Sequence, residues 1–323
     1  MNDIEANRLR PQAIEIALER PEEFARRRKA EIDPNLVKLH GGISGLSVEE
    51  PIEIVSGLRL APTYAHVMAP FIMAFKPPEL GQAHPGPWKS ASGGSASDIH
   101  TEATLDADAR VGGFDRLNSI WFLATLLRLR VSTAIRVPVI SDTTFSEVPD
   151  GKEPVLWPIE FSRPVHVALH QISETQQDGL EWIVSNIENG SVLMQGEGFA
   201  LALQTLDQAW FAESRGSIMV LLWSAIESLF RPGDRDITKV LARSIATYLN
   251  DEPRARDRHF QEIKDLYKVR GEMVHAARAP TDAPIEATAN IARRVFIRAI
   301  ELREIPVAER LQIAWSERTA YQA

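Results

Sequence analysis

Hydrophobic and polar positions follow different patterns in the two parts of this 323-residue chain. Up to about residue 190, short apolar runs lie between clusters of proline and glycine, which favours strands over long helices. We therefore expect a mixed α/β or β-rich domain over residues 1–190. Its predicted strands are 52–55, 57–60, 135–140 and 165–169, its predicted helices are 14–29 and 114–129, and the serine- and glycine-rich segment 86–98 is predicted to be a loop.

The pattern becomes helical after about residue 190. Arg231-Pro232-Gly233 ends one helical segment because proline cannot continue a helix, and Asp236 is placed to cap the next. We expect an all-α bundle of about five helices over residues 191–323. Apolar residues recur at helical spacing over 199–213, 218–230, 237–249, 260–275 and 285–302.

Composition and charge narrow the chemistry that the chain can carry. No cysteine occurs, which excludes disulfides, thiolate nucleophiles and cysteine-ligated metal sites. The net charge of −8 comes from residues 1–190, because residues 191–323 contain equal numbers of basic and acidic residues. The helical part is therefore the better candidate to meet a polyanion.

Several familiar sites are missing from the sequence. It contains no P-loop, no Gly-x-Gly-x-x-Gly cradle, no His-Glu-x-x-His and no Gly-x-Ser-x-Gly elbow, so ATPases, dehydrogenases, zincins and α/β-hydrolases are not expected. His166 and His170 are four residues apart, but in a strand they would lie about 13 Å from each other. We therefore expect no metal centre and no cofactor.

The sequence gives no sign of export or of a membrane span. Residues 1–33 are charged and lack the apolar core of a signal peptide. The longest apolar run, 120–127, is much shorter than the roughly 20 residues that a spanning helix needs. A cytoplasmic protein without membrane contact is the expectation.

An arginine occupies a helical position where an apolar residue is expected. Ile263, Tyr267 and Val274 lie on one stripe of the predicted helix 260–275, and Arg270 falls at the vacant position of that stripe. A guanidinium that faces the core needs a partner. That partner would be a buried carboxylate such as Glu227, a second subunit, or an anion.

Arg270 and a nearby histidine also form a motif. The segment from Arg270 to His275 resembles the motif of the HEPN superfamily, in which four to six residues separate an arginine from a histidine. The preceding segments 223–230 and 239–246 resemble the ApeA-like HEPN branch in their order and spacing, and the likeness covers about 199–305. The resemblance implies a four- or five-helix bundle that pairs face to face as a homodimer.

The same resemblance implies a metal-independent endoribonuclease. Many HEPN proteins cleave RNA in toxin–antitoxin, abortive-infection or anti-phage systems. The implied partners are therefore RNA, with tRNA as one candidate, and a trigger or antitoxin. Arg270 matches the catalytic arginine of the family, and His275 matches the catalytic histidine. The residues expected to support them are Glu227, Glu272, Tyr267 and Lys268.

These residue types suit RNA cleavage without a metal. An imidazole that titrates near neutral pH can act as base or acid, and a guanidinium suits phosphate oxygens. His275 lies about 140° around a straight helix from Arg270, so one rigid helix face does not carry both, unless Gly271 loosens the helix. In a dimer, Arg270 of one chain would instead act beside His275 of the other.

Two other functions stay open at this stage. The helical part would alternatively be a non-catalytic HEPN module for nucleotide binding or dimerisation, a reading that Gly271 favours because active relatives often have a polar residue after the arginine. A small-molecule enzyme seated in residues 1–190 is the second alternative. It would need a closed pocket around Tyr64, His66 and Trp88.

Overall fold

A computed structural model describes the fold of residues 38–77, 79, 85–152, 154–160, 175–233, 235–276 and 280–319. The described chain forms two compact units that interleave along the sequence. The first unit contains residues 38–51, 60–108 and 138–160, and the second contains residues 52–59, 109–137 and those from 175 onward. A sheet region toward the amino end and a helical portion toward the carboxyl end give the chain a mixed α and β composition.

The first unit is built on a β-sheet. Five strands of this sheet follow the order β3 (Leu58–Ala74), β4 (Trp88–Asp106), β1 (Lys38–Ser44), β5 (Arg136–Ser141) and β6 (Leu156–Pro158). β1 pairs antiparallel with β4, so that Lys38 lies opposite Asp106, and β5 pairs antiparallel with β6.

The second unit contains the short strand β2 (Ile52–Val55) and a set of packed helices. The helices are α1 (Arg116–Arg130), α2 (Gln176–Leu193), α3 (Glu197–Ala209), α4 (Arg215–Phe230), α5 (Ile237–Leu249), α6 (Pro253–Ala276), α7 (Asp282–Leu302) and α8 (Ala308–Thr319). α4 packs against α3, α6 and α7, and α5 packs against α6 and α8. Of the helices in the described part of the chain, none is long and apolar enough to cross a membrane.

Capping side chains fix where several helices begin. The side chain of Asp115 accepts a hydrogen bond from a backbone N–H in the first turn of α1, and Ser214 does the same at α4. Thr175 and Asp178 form a reciprocal capping box at the start of α2. These side chains satisfy N–H groups that have no partner within the helix, which stabilises the helix start.

A buried ion pair joins α1 to α3. The side chain of Arg128 is fully buried, and its Nη1 donates to both carboxylate oxygens of Asp207 at 3.0 Å. Arg128 Nε donates to the carbonyl oxygen of Ile135 at 2.9 Å, and Trp121 Nε1 donates to Asp207 Oδ2 at 3.2 Å. Charge and hydrogen bonding are therefore compensated together, as a buried ion pair requires.

A second buried carboxylate, Glu102 on β4, ties together three segments of the first unit. His40 Nδ1 of β1 lies 2.8 Å from Glu102 Oε1, while Thr144 Oγ1 and the Phe145 backbone N–H both donate to Oε2 at 2.9 Å. Burial raises the pKa of the Glu102 carboxyl, but the hydrogen bonds from His40 and Phe145 outweigh burial and hold that pKa below its ordinary value. The ionised carboxylate therefore anchors the loop after β5 to the sheet.

Many predicted elements are present in the structure. The sheet region followed by a helical portion confirms the mixed fold class at this coarse level. α2 and α8 fall outside the predicted segments, and the predicted helix 14–29 and strand 165–169 lie outside the described residues. The elements β2, β5, α1 and α5 lie within two residues of the predicted segments 52–55, 135–140, 114–129 and 237–249.

Two local predictions are wrong. Residues 88–98 were expected in the loop 86–98 but belong to β4, because pairing with the neighbouring β3 outweighs their serine- and glycine-rich composition. Asp236 occupies the position before α5, but its φ of 50° is left-handed rather than extended, and its side chain makes no capping bond. Residue 190 lies inside α2, and the division into domains 1–190 and 191–323 stays a prediction.

Candidate functional site

The packing of α4 against α6 brings three of the predicted site residues together. Tyr267 on α6 donates its hydroxyl hydrogen to Oε1 of Glu227 on α4 at 2.9 Å. Nη2 of Arg270 lies 3.6 Å from the same carboxylate oxygen. Glu227, one of the partners considered from the sequence, is therefore the carboxylate that Arg270 meets.

Two aromatic rings support the Arg270 guanidinium. Arg270 Cζ lies 5.4 Å from the centroid of the Tyr267 ring, within the range of a cation–π contact. The Tyr267 ring in turn meets the fully buried Trp223 edge-on, with 5.0 Å between the centroids. Burial raises the pKa of Tyr267 to about 12, with a contribution from the hydrogen bond to Glu227. The phenol therefore keeps its proton at neutral pH and acts as a donor.

A cleft of about 430 Å³ opens beside these residues. Its wall combines cationic and anionic side chains. Lys268 Nζ lies 3.7 Å from Oε1 of Glu272, one turn further along α6. Thr238, Lys264 and Asp265 are lining residues that the sequence prediction missed. The spacing of Lys264 and Lys268, one helical turn apart, was the available signal. The cleft is lined by Thr238, Lys264, Asp265, Tyr267, Lys268, Arg270, Gly271 and Glu272.

Arg270 keeps unused hydrogen-bond donors in this arrangement. The separation of 3.6 Å between Arg270 Nη2 and Glu227 Oε1 is an ion-pair distance and exceeds that of a hydrogen bond. Arg270 Nε is buried, and no atom of the described chain accepts a hydrogen bond from it. Since the side chain is still 25% exposed, the guanidinium is able to bind an oxyanion that enters the cleft.

His275 lies on the same helix as Arg270. α6 is continuous from Pro253 to Ala276, so Gly271 does not interrupt it, and the side chain of His275 is outside the described part of the structure. Along a straight helix, residues five apart are separated by about 140° of rotation and about 7.5 Å of rise. Arg270 and His275 of one chain therefore start from different faces of α6.

Two of the three residues considered for a pocket in the amino-terminal part, Tyr64 and His66, are exposed. Tyr64 is 66% exposed, and the side chain of His66 is 52% exposed. His66 Nδ1 lies 2.8 Å from Asp98 Oδ1, and this contact ties β3 to β4. Tyr64 and His66 therefore do not line the closed pocket that a small-molecule enzyme would need.

The described residues also contain no cluster of three or more histidine, aspartate or glutamate side chains that could hold a metal ion. His166 and His170 lie outside those residues. No protein-family model matches the chain, and neither a curated protein nor a solved structure matches it.

Proposed function

We propose that this protein is a metal-independent endoribonuclease of the HEPN type that works as a homodimer in prokaryotic defence or a toxin–antitoxin pair. The observation that carries the proposal is the state of Arg270. Its guanidinium lies at the wall of a cleft beside Lys264 and Lys268, is only loosely paired with Glu227, and keeps donors free. A planar cation with free donors binds phosphate oxygens and stabilises the charge that builds on them during cleavage.

The proposed reaction is a transesterification at phosphorus. The 2′-oxygen of a ribose attacks the neighbouring phosphorus, the bond to the 5′-oxygen of the next nucleotide breaks, and the products are a 2′,3′-cyclic phosphate and a 5′-hydroxyl. A base removes the 2′-hydroxyl proton and an acid protonates the leaving 5′-oxygen. Imidazole serves either role near neutral pH, so the two copies of His275 in a dimer supply both, and Arg270 supplies the cation.

Cleavage without a divalent metal is the first expected result. Purified protein should cut end-labelled total tRNA in EDTA, and Arg270→Ala and His275→Ala should each reduce cleavage by about 100-fold or more, because each removes a group needed in the transition state. Arg258→Ala, which changes an exposed arginine of the same helix, is the control and should cleave normally. Undiminished cleavage by both site variants, of unchanged helicity, would contradict the proposal.

A mixed dimer tests whether each site takes residues from both chains. When Arg270→Ala and His275→Ala chains are co-expressed with different tags and purified together, one combination of Arg270 and the partner subunit's His275 stays intact. We expect this mixed dimer to keep part of the wild-type cleavage, whereas either variant alone is inactive. Complete inactivity of the mixed dimer would show either that Arg270 and His275 act within one chain or that cleavage needs both copies of His275.

The pairing of Arg270 with Glu227 also favours a second candidate function, a non-catalytic module that binds nucleotides or dimerises. The ion pair gives Arg270 a structural role, and Gly271 offers no side chain to assist chemistry. This candidate predicts that RNA is bound in an Arg270-dependent manner and recovered uncut. The cleavage assay in EDTA distinguishes the two candidates, because only the nuclease leaves 2′,3′-cyclic phosphate ends.

A further inference from the structure

One oxygen atom of Glu227 serves two donors. The Tyr267 hydroxyl donates to Glu227 Oε1 at 2.9 Å, while Arg270 Nη2 lies 3.6 Å from the same atom. An unrestrained arginine usually forms two short parallel hydrogen bonds with a carboxylate. Such a contact exists elsewhere in the same unit, where Arg215 Nε and Nη2 reach the two oxygens of Asp282 at 2.6 and 3.1 Å. The ion pair between Arg270 and Glu227 is therefore longer than the bidentate contact that an arginine and a carboxylate usually form.

We propose that Tyr267 is a positioning residue that keeps Arg270 available to a phosphodiester by occupying the Glu227 oxygen that would otherwise bind the guanidinium. This inference rests on the proposed function, since it assumes that Arg270 meets RNA phosphate. The hydroxyl holds Glu227 through its hydrogen bond, while the face of the ring contacts the guanidinium at 5.4 Å without using its N–H donors. Arg270 is thereby fixed in place with donors still free.

The surroundings of Tyr267 make it suited to this role. Its ring is held edge-on by Trp223, which is fully buried on α4, so the position of the hydroxyl is set by the packing of α4 against α6. Glu227 lies on the same helix as Trp223, one turn further along. The ring and the carboxylate that it restrains therefore share one rigid support.

Removing only the hydroxyl separates positioning from structure. Tyr267→Phe keeps the ring and its contacts with Trp223 and Arg270, but it releases Glu227 to close on the guanidinium. We expect this variant to bind RNA about five- to tenfold more weakly, because Arg270 must first be withdrawn from its new partner. Adding Glu227→Gln removes that partner's charge, so the double variant should recover affinity to within about twofold of wild type.

Fluorescence anisotropy measures these affinities without any cleavage. The probe is a labelled single-stranded 2′-O-methyl oligoribonucleotide, which lacks the attacking hydroxyl, titrated in EDTA with the full chain at several salt concentrations. Arg270→Ala should reduce the magnitude of the slope of log affinity against log salt by about 0.7, the amount of one lost phosphate contact on a single strand, whereas Tyr267→Phe, which still forms that contact once Arg270 is withdrawn from Glu227, should keep the wild-type slope. Tyr248→Phe is the matched control, because no atom of the described chain hydrogen-bonds to that buried hydroxyl.

The outcomes distinguish this inference from the function on which it rests. If Arg270→Ala binds the probe as tightly as wild type, the cleft is not the phosphate site and both proposals are overturned. If binding depends on Arg270 but Tyr267→Phe matches wild type, only the positioning role is overturned. The same holds if the double variant stays as weak as Tyr267→Phe, because the hydroxyl then acts through something other than Glu227.

Discussion

Asp207→Asn is expected to lower the free energy of unfolding by about 3–5 kcal/mol, the cost of leaving a buried charge without its partner. Arg128 is fully buried and donates through Nη1 to both oxygens of Asp207. Asparagine preserves the shape of the side chain but removes its charge. It also places an NH₂ group against a donor, because Arg128 Nη1 donates to both oxygens and Trp121 Nε1 donates to Oδ2.

Urea denaturation of matched variants measures this loss. Asp282→Asn is the control, since its ion pair with Arg215 is about half exposed and should contribute less than about 1 kcal/mol. The double variant Arg128→Met with Asp207→Leu removes both charges and should lose less stability than Asp207→Asn alone. Equal, small losses in Asp207→Asn and Asp282→Asn would contradict the assigned role of the buried pair.

Glu102→Gln is expected to cost about 2–3 kcal/mol at neutral pH, because hydrogen bonds to a buried carboxylate are replaced by weaker ones to an amide. The glutamine NH₂ group also faces donors at one of the two oxygen positions, where His40, Thr144 and Phe145 now approach. The loop after β5 would lose its attachment to the sheet, and the sheet interior would lose a polar network that is satisfied as a unit.

The loss should depend on pH in a defined direction. Since the pKa of Glu102 is lowered in the folded protein, its ionised form stabilises the fold above the ordinary carboxyl pKa, and this stabilisation disappears as pH falls through the folded pKa. The difference between wild type and Glu102→Gln should therefore shrink in acid. Urea midpoints at neutral and acidic pH test this, with exposed Glu49→Gln as the control; a difference that is constant with pH would rule out the ionised carboxylate as its source.

The local sequence pattern was sufficient to predict elements whose ends are marked by residues such as proline and glycine. α5 coincides with the predicted segment 237–249 because Pro232 and Gly233 stand before it and Asn250 and Pro253 follow it. β4 had no such signal, because residues 88–98 form a strand only through pairing with β3. A window of neighbouring residues carries no information about a partner strand.

In the candidate site, too, local spacing predicted some features, whereas others depend on how the helices pack. The position of Arg270 on the stripe was inferable from helical spacing, and Glu227 was one of the partners considered for a guanidinium that faces the core. The hydrogen bond from Tyr267 to Glu227 joins residues that are 40 positions apart and depends on how α4 and α6 pack. Rules of helical spacing therefore cannot predict it. Arg128 resembled a charge at the end of an apolar helix, and only the packing of α3 shows that it is buried.

The ion pair between α1 and α3 also bears on the order in which the helices dock during synthesis of the chain. Arg128 and Asp207 are 79 residues apart. At a synthesis rate of about 5–20 residues per second, Asp207 is therefore made about 4–16 s after Arg128. Burying Arg128 before then would be costly, because its charge would be uncompensated. β1 and β4 are complete before residue 128 is made and are free to pair meanwhile. We therefore expect docking of α1 to be a late step of co-translational folding, and we expect a nascent chain arrested before residue 207 to leave that helix undocked.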